Sequence, residues 1–384
     1  MKILLVGNLP EDRQESMQRF TDLLQAGLQG LGHTVTVAAP SLRLARFGPP
    51  YRYGGLPKLL GYFDKFVLFP RQLRRLLTEH PPDVVHITDH ANAVYVSAAG
   101  SVPVLATCHD LLQVRAALGE MTRQSVGRFG RRYQEWIRSS LGRLRMIACV
   151  SDKTRADVLR LTAIPPQQTV LIPNSLNYPY RPIAPAVARP RLNALAARQG
   201  VNPATLESGA GGFLLHVGGG QWYKNRAGLL TIYARLRRLL TPIPQLVMVG
   251  APLGAEDATL AAQLGVAAHV ISFQGVTNAE LKALYNLAEA LVFPSWAEGF
   301  GWPVAEAQAC GCPVFASNRA PMTEVGGNSS VYFDPENPDA AAQAIAAAWP
   351  ERATRRVHAL EEAKRWQLAL MLDSYEAVYR QLLQ

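Results

Sequence analysis

Short uninterrupted apolar runs, each followed by a helical stretch, recur in two successive series along this chain. That repetition restricts the fold more than any other feature. The first series contains Ile3–Val6, Val35–Val37, Val84–Ile87, Val102–Leu105 and Met146–Val150. The second contains Phe213–Val217, Leu246–Val249, Val270–Phe273, Ala290–Phe293 and Pro313–Ala316. Runs that are apolar at most positions, rather than only at alternate ones, fit strands buried on both faces, and the helical stretches between them fit crossovers of a parallel sheet. The expected class is α/β, with two Rossmann-like doubly wound domains facing across a cleft. The proline-rich stretch Pro173–Pro190 interrupts the alternation. The expected domains are therefore 1–180 and 212–365, joined by a linker or variable segment over 181–211. A C-terminal helix over 366–384 is free to return to the first domain.

Composition supports globular domains and excludes disorder: of 384 residues, 48% are apolar and 18% charged. Charge is unevenly spread. Residues 1–180 carry 22 basic and 13 acidic side chains, whereas the remainder carries 17 and 16. A basic first half points to an anionic partner: a phosphorylated small molecule, an anionic membrane surface or nucleic acid. Four cysteines, Cys108, Cys149, Cys310 and Cys312, are too few for a disulfide framework, and Cys310-Gly-Cys312 lacks zinc-site spacing. They read as buried thiols in a reducing compartment. The chain enters a strand directly after Met1-Lys2 and has no run of 18 apolar residues. The expectation is a cytoplasmic protein, with peripheral attachment to the inner face of a membrane as an option.

Three segments carry chemistry. In Phe293–Glu324 a strand ends, a loop with Gly299 and Gly301 follows, and Pro303 marks a helix start. Loop amides and a helix N-terminus then converge where a phosphate or diphosphate would fit. Glu298 and Glu306 lie eight positions apart, one in the loop and one in the helix, as acceptors for sugar hydroxyls. Spacing alone equally allows a charge favouring the helix dipole plus a solvated glutamate. In His216–Asn225 a strand runs into Gly218-Gly219-Gly220 and then Lys224, either a nucleotide loop with a phosphate counter-charge or a surface turn. In Thr107–Asp110, His109 ends a strand with Asp110 beside it, placed to contact a ligand or to serve the structure. The chain lacks a P-loop Gly-Lys-Ser/Thr, His-Glu-x-x-His, Gly-x-Ser-x-Gly and a metal-chelating Asp-x-Asp.

Together these segments resemble the retaining GT-B glycosyltransferases of the family-4 type. Glu298-Gly-Phe-Gly-Trp-Pro-Val-Ala-Glu306 looks like their Glu-x7-Glu signature and continues into Ala307–Val314 in the expected order. Phe273–Val276 with Leu281, Leu284, Tyr285 and Ala288 looks like the preceding part of the pattern. Val150-Ser151, Ile172-Pro173-Asn174 and Thr107–Asp110 fall where the family places its inter-domain and acceptor-side motifs. The resemblance implies a GT-B fold and a hexosyltransferase, with mannose or glucose weakly favoured. The donor is a nucleoside diphosphate sugar, and the acceptor a sugar, a lipid-linked saccharide or a small molecule.

The implied catalytic residues are His109, Glu298 and Lys224. Donor contacts fall to Gly218, Gly219, Lys224, Asn225, Val276, Glu298, Gly299, Phe300, Gly301 and Glu306. Of these, Glu306 takes the ribose, Glu298 the hexose, Lys224 the diphosphate and the backbone near Val276 the base. Gly7, Ser16, Arg19 and Asp110 are the acceptor-side candidates. No metal or other cofactor is implied. Two departures stand out: positions 219–223 lack a second diphosphate cation, a role then left to helix N-termini or Arg226, and Gly7–Arg13 lacks a Gly-Gly pair.

Two other classes fit less well. A dinucleotide-binding dehydrogenase needs glycine where Tyr223 stands, and an acidic residue that Gly220–Ala255 does not supply. A nucleic-acid-binding protein would leave the carboxylate pair without a task, and the arginines are not spaced as a recognised module. Two amphipathic stretches bring a peripheral membrane surface into consideration. Arg123–Arg145 holds seven Arg beside Phe129, Tyr133 and Trp136, and Leu59–Arg75 sets Phe63, Phe66 and Phe69 beside Lys65, Arg71 and Arg74. The alternative is that both apolar stripes pack on the first sheet and the arginines are merely solvated.

Overall fold

The computed structural model describes residues 1–47, 55–121, 123–207 and 212–384. Two units divide the chain: Met1–Asn177 with Leu368–Gln384, and Tyr178–Gln367.

The first unit is built on a six-stranded parallel sheet. Its strands are β1 (Lys2–Val6), β2 (Thr34–Ala38), β3 (Val84–Ile87), β4 (Val104–Cys108), β5 (Met146–Cys149) and β6 (Thr169–Leu171), in the order β2-β1-β3-β4-β5-β6. One face is covered by the helix Glu15–Gly30 and by the terminal helix Leu368–Leu382. Phe20, Leu24 and Leu28 meet Met371, Tyr375 and Tyr379 there, over Ile3, Leu5, Val84 and Leu105. The other face carries Leu73, Leu77, Ile137 and Leu141 over Val6, Ile87 and Ile147.

The second unit has a parallel sheet of β7 (Phe213–Gly218), β8 (Gln245–Gly250), β9 (Val270–Phe273), β10 (Ala290–Phe293), β11 (Val314–Ser317) and β12 (Val331–Phe333). Its order is β12-β11-β10-β7-β8-β9, so β7 and β10 are neighbours although two strands separate them in sequence. This is the dinucleotide-fold order, with its switch point between β7 and β10. Helix starts are fixed locally. Ser151 accepts from Thr154 N–H, and Thr277 and Glu280 form a reciprocal capping box.

The expected linker over 181–211 is corrected. It contains a helix, Pro185–Arg198, which buries Ala188, Leu192, Leu195 and Ala196 within the second unit. Arg198 bonds Glu280 at 2.7 Å, and Gln199 exchanges bonds with the Gln274 backbone at 2.7 and 3.0 Å. Pro185 sits in the first turn, where its missing N–H costs nothing, but Pro190 lies inside and hides the helix from a propensity reading. Residues 208–211 lie outside the described ones.

A buried polar chain fastens the terminal helix to the first sheet. His86 Nδ1 pairs with the Tyr379 hydroxyl at 2.7 Å and Nε2 with the Thr107 hydroxyl at 2.8 Å, and Thr107 also meets the Tyr375 hydroxyl at 2.8 Å. Burial, then the nearby His109, pushes the His86 imidazole down to about 3. The unfolded chain therefore takes up a proton below about pH 6.5 that the folded state refuses until about pH 3. His86 thus adds a loss of stability as pH falls through that window, at about 1.4 kcal/mol per pH unit. Denaturant melts between pH 7 and pH 4 should show this loss, and His86→Gln should flatten it. Tyr379→Phe should cost about 1–2 kcal/mol by leaving a buried ring nitrogen unpaired.

Candidate functional site

Ligands of doubly wound sheets settle at the carboxyl ends of the strands flanking the switch point. In the second unit these ends are the loops after β7 and β10, which contain the sequence-derived Lys224 and Glu298. Lys224 Nζ bonds Glu298 Oε1 at 2.8 Å, and the two side chains are only 13% and 9% exposed. The ammonium also lies 5.2 Å from the Phe293 ring centre and 5.5 Å from that of Tyr223. Backbone pairing fastens the two loops together: Trp296 N–H donates to the Tyr223 carbonyl at 2.8 Å. Trp222 and Trp296 stack with centroids 6.2 Å apart.

Asn225, expected among the donor contacts, serves this scaffold. Its φ is 54°, its carboxamide oxygen accepts from Gly228 N–H at 3.1 Å, and its amide donates to the Pro294 carbonyl at 3.0 Å. It thereby caps the helix Arg226–Leu236 and holds the β10 loop. Gly218 ends β7 beside Gly250, whose φ is 138°; a Cβ on Gly250 would stand 2.2 Å from the Gly218 carbonyl oxygen. Gly219 follows half-buried in the same loop. Arg226, considered as a second diphosphate cation, is corrected to a structural role. It is 7% exposed, donates to the carbonyls of Ala251 and Pro252 at 3.1 and 3.2 Å, and pairs with Asp257 at 3.3 Å.

The β10 loop leads through half-buried Gly299 and buried Phe300 to Gly301, whose φ of 101° caps the helix Trp302–Ala309 without a side-chain bond. Pro303 lies in its first turn, and the Phe300 ring packs edge-on against Trp366 at 5.3 Å. Gly301 brings no side chain to this N-terminus, where the main-chain dipoles of the helix begin. Glu306, further along, is 6% exposed and accepts from the Tyr285 hydroxyl at 2.9 Å. Burial and the Glu306 charge hold that phenol well above its usual range, so Tyr285 is a neutral donor. Val276 is half-buried, one residue before the capping box that opens the helix Asn278–Leu287, which carries Tyr285.

Behind the β7 loop, His216 donates from Nδ1 to the Val292 carbonyl at 3.1 Å, which leaves Nε2 an acceptor. Burial, then the Lys224 and Arg226 charges, pushes its imidazole down to about 4. Tyr285 and His216 were not recognised as site residues in the sequence. Tyr285 falls in a helical apolar pattern that reads as core, and nothing in β7 alone shows that β10 lies beside it.

In the first unit the switch point lies between β1 and β3. Gly7 donates to the Ala38 carbonyl at 2.9 Å, while Asn8 bonds Asp89 at 2.6 Å and Asn92 bonds Asn8 at 2.6 Å. His109, after β4, is 5% exposed and donates from Nε2 to the Thr88 carbonyl at 3.0 Å. Burial keeps its imidazole below the ordinary range despite the Asp89 charge, so the ring is neutral with Nδ1 as the acceptor nitrogen. Asp110 accepts from Leu112 N–H at 2.9 Å, opening the next helix, and the hold on the His109 ring comes from Thr88. Ser16 and Arg19 are exposed on the helix Glu15–Gly30, Arg19 lying 3.4 Å from Glu15. All four cysteines are buried free thiols. Among the described residues no three His, Cys, Asp or Glu side chains converge as metal ligands, and no helix is long and apolar enough to cross a membrane.

This geometry agrees with the comparisons to known proteins. Residues 203–366 match the family model of glycosyl transferases group 1, and residues 17–178 match that of glycosyltransferase family 4. The chain belongs to the family-4 type of glycosyltransferases and has their GT-B fold. Among curated relatives, it is 31% identical over 244 residues to the O-antigen chain mannosyltransferase B of Escherichia coli, covering 61% of this chain and 60% of that protein. It is 28% identical to the MMP alpha-(1->4)-mannosyltransferase of Mycolicibacterium hassiacum, covering 59% and 50% respectively. The matches thus span half to three-fifths of these relatives' lengths. Sucrose-phosphate synthase from Thermosynechococcus elongatus superposes with a TM-score of 0.74 at 19% identity, over 100% of this chain and 99% of that one. Anabaena HepE in complex with UDP-glucose gives 0.71 at 14%, over 99% and 100%.

Because Lys224 and Glu298 are largely withdrawn from water, removing one strands the other. Lys224→Met and Glu298→Gln should each destabilise the second unit, and a double-mutant cycle should show a coupling of about 1–3 kcal/mol. Additive single effects in urea melts would show that the pair does not hold the loops.

Proposed function

We propose that this protein transfers a hexose, with mannose first and glucose second, from a nucleoside diphosphate sugar to a saccharide, lipid-linked or small-molecule acceptor. Transfer keeps the anomeric configuration and uses no metal. The observation that carries this reading is the Lys224–Glu298 pair at the β7/β10 switch point, on the loop that leads into the helix beginning at Gly301. An arriving diphosphate replaces Glu298 as the partner of Lys224 and takes the helix N-terminus as a second positive pole. Glu298, released from the ammonium, turns to the hydroxyls of the transferred sugar. Glu306, oriented by Tyr285, accepts from the ribose hydroxyls.

As the glycosidic bond to the diphosphate breaks, negative charge grows on the leaving oxygen. Lys224 and the helix dipole stabilise that charge, a service other systems obtain from a chelated cation. Val276 and its neighbours take the base. The first unit supplies the acceptor side, with His109 neutral and Gly7, Ser16, Arg19 and Asp110 as candidates. Its basic surface serves an anionic membrane where the acceptor is lipid-linked. The mannose preference is supported by the names of the curated relatives, and the nucleoside diphosphate sugar by the UDP-glucose held in HepE.

Calorimetry with uridine and guanosine diphosphates should show one bound in preference to a nicotinamide dinucleotide. Lys224→Ala should weaken that binding by about 1.5–3 kcal/mol; unchanged affinity would remove Lys224 from the site. Glu306→Ala should mainly raise the donor KM, because ribose contacts persist unchanged into the transition state. Glu298→Ala should mainly lower kcat. Activity should survive excess chelator, and the product anomer read by NMR should match the donor. Loss in chelator with rescue by manganese would overturn the role given to Lys224 and the helix.

A further inference from the structure

The two amphipathic stretches of the first unit do not both spend their aromatic side chains on the sheet. Gly55–Glu79 is helical throughout, with a π-helical turn over Asp64–Leu68, and Arg128–Leu141 is a helix between Gly127 and Gly142. From the second helix, Ile137 and Leu141 enter the core. Tyr133 also packs against that core, as does Phe66 of the first stretch, and the aromatic residues of the two stretches meet one another. Tyr62 stacks on Phe129 at 5.4 Å, and Phe66 touches Tyr133 at 5.4 Å and Trp136 at 5.2 Å. The outer edge of this cluster is open to solvent: Leu59 is 63% exposed, Phe63 44%, Phe129 60% and Trp136 40%.

Basic side chains border it. Arg132 stands three positions after Phe129 and four before Trp136, so it projects between them on the helix surface. Lys58 lies 5.6 Å from the Tyr62 ring centre. Exposed Arg128, Arg71 and Arg74 belong to the same two helical stretches. On the other flank of the second helix a groove of about 360 Å³ is floored by Val114, Ala117 and Leu118 and edged by Arg131, Arg132 and Arg138. The carboxylate there, Glu135, is engaged by Arg138 at 2.7 Å.

We infer that this aromatic ridge inserts into the interfacial region of an anionic bilayer, its arginines resting on the lipid phosphates. The inference rests on the membrane reading of the first unit given above and deepens it, since attachment by charge alone would need no exposed Phe and Trp. Aromatic rings between arginines suit a boundary that is apolar below and anionic above. A large exposed apolar patch on a soluble surface otherwise invites association.

The test is sedimentation with phosphatidylcholine vesicles with and without phosphatidylglycerol, at low salt and at about 1 M salt, where the Debye length is about 3 Å. Binding should require the anionic lipid at low salt, and part of the binding once formed should persist at high salt. Arg128→Glu/Arg132→Glu should lower the low-salt partition coefficient at least about tenfold. Phe129→Ala/Trp136→Ala should remove the salt-resistant part while nucleoside diphosphate binding and the far-ultraviolet spectrum stay unchanged. Quenching of tryptophan emission by brominated lipid should weaken in Trp136→Phe.

Binding that salt removes completely, or quenching equal in wild type and Trp136→Phe, would overturn insertion. So would self-association that Phe129→Ala abolishes, because the ridge would then be a contact between copies of the chain. No donor or acceptor enters the vesicle assay, so its failure is separable from failure of the transferase reading.

Discussion

Strand β10 pairs with β7, across two intervening strands, and the chemistry assigned to the second unit follows from that adjacency. A parallel sheet with crossovers on both faces leaves a gap where the winding reverses, and the loops at the gap are not filled by a helix between them. Lys224 and Glu298 stand 74 positions apart in the chain and meet there at 2.8 Å. The scaffold beneath them is rigid for local reasons. Asn225 ties one loop to the other, Gly250 lets the β8 backbone pass close to Gly218, and His216 stays uncharged under an ammonium. An ion pair so held is already positioned for an anion. In the transfer proposed above, a diphosphate would exchange one partner of Lys224 for another with little reorganisation of the chain.

The second carboxylate is prepared differently. Glu306 is buried within a helix and bonded by a phenol that burial keeps protonated. It is therefore fixed in one orientation, whereas Glu298 is held by a charge that a ligand can compete for. Two glutamates of similar chemistry are thus set apart by what surrounds them, a phenol at Glu306 and an ammonium at Glu298.

The strands of both sheets were legible wherever an apolar run was four residues or longer, because burial on both faces leaves no room for polar alternation. The two strands that escaped, Thr169–Leu171 and Val331–Phe333, have three residues each and lie at sheet edges, where one flank needs no apolar partner. The helix Pro185–Arg198 escaped because prolines read as a break. Lys224, Glu298 and Glu306 were visible in local motifs, since a glycine turn or a helix start leaves a short-range signature. The bond from Tyr285 to Glu306 and the stacking of Trp222 on Trp296 were not, because each depends on which elements the tertiary fold sets side by side.

The terminal helix has a consequence for how the chain is made. The first unit is interrupted: its sheet is complete by Leu171, yet Tyr375 and Tyr379 belong to its core. A growing chain therefore carries an unfinished first unit, with Phe20, Leu24 and Leu28 lacking their cover, while the whole of Tyr178–Gln367 is synthesised. The second unit has all its own strands by then and is free to fold first. Joining the ends of so long an insertion costs little more than joining a short one, since closure entropy grows only with the logarithm of length. The exposed face in the interval is apolar, so the vulnerable moment of this protein lies in its biosynthesis, before residue 368 emerges, rather than in its finished state.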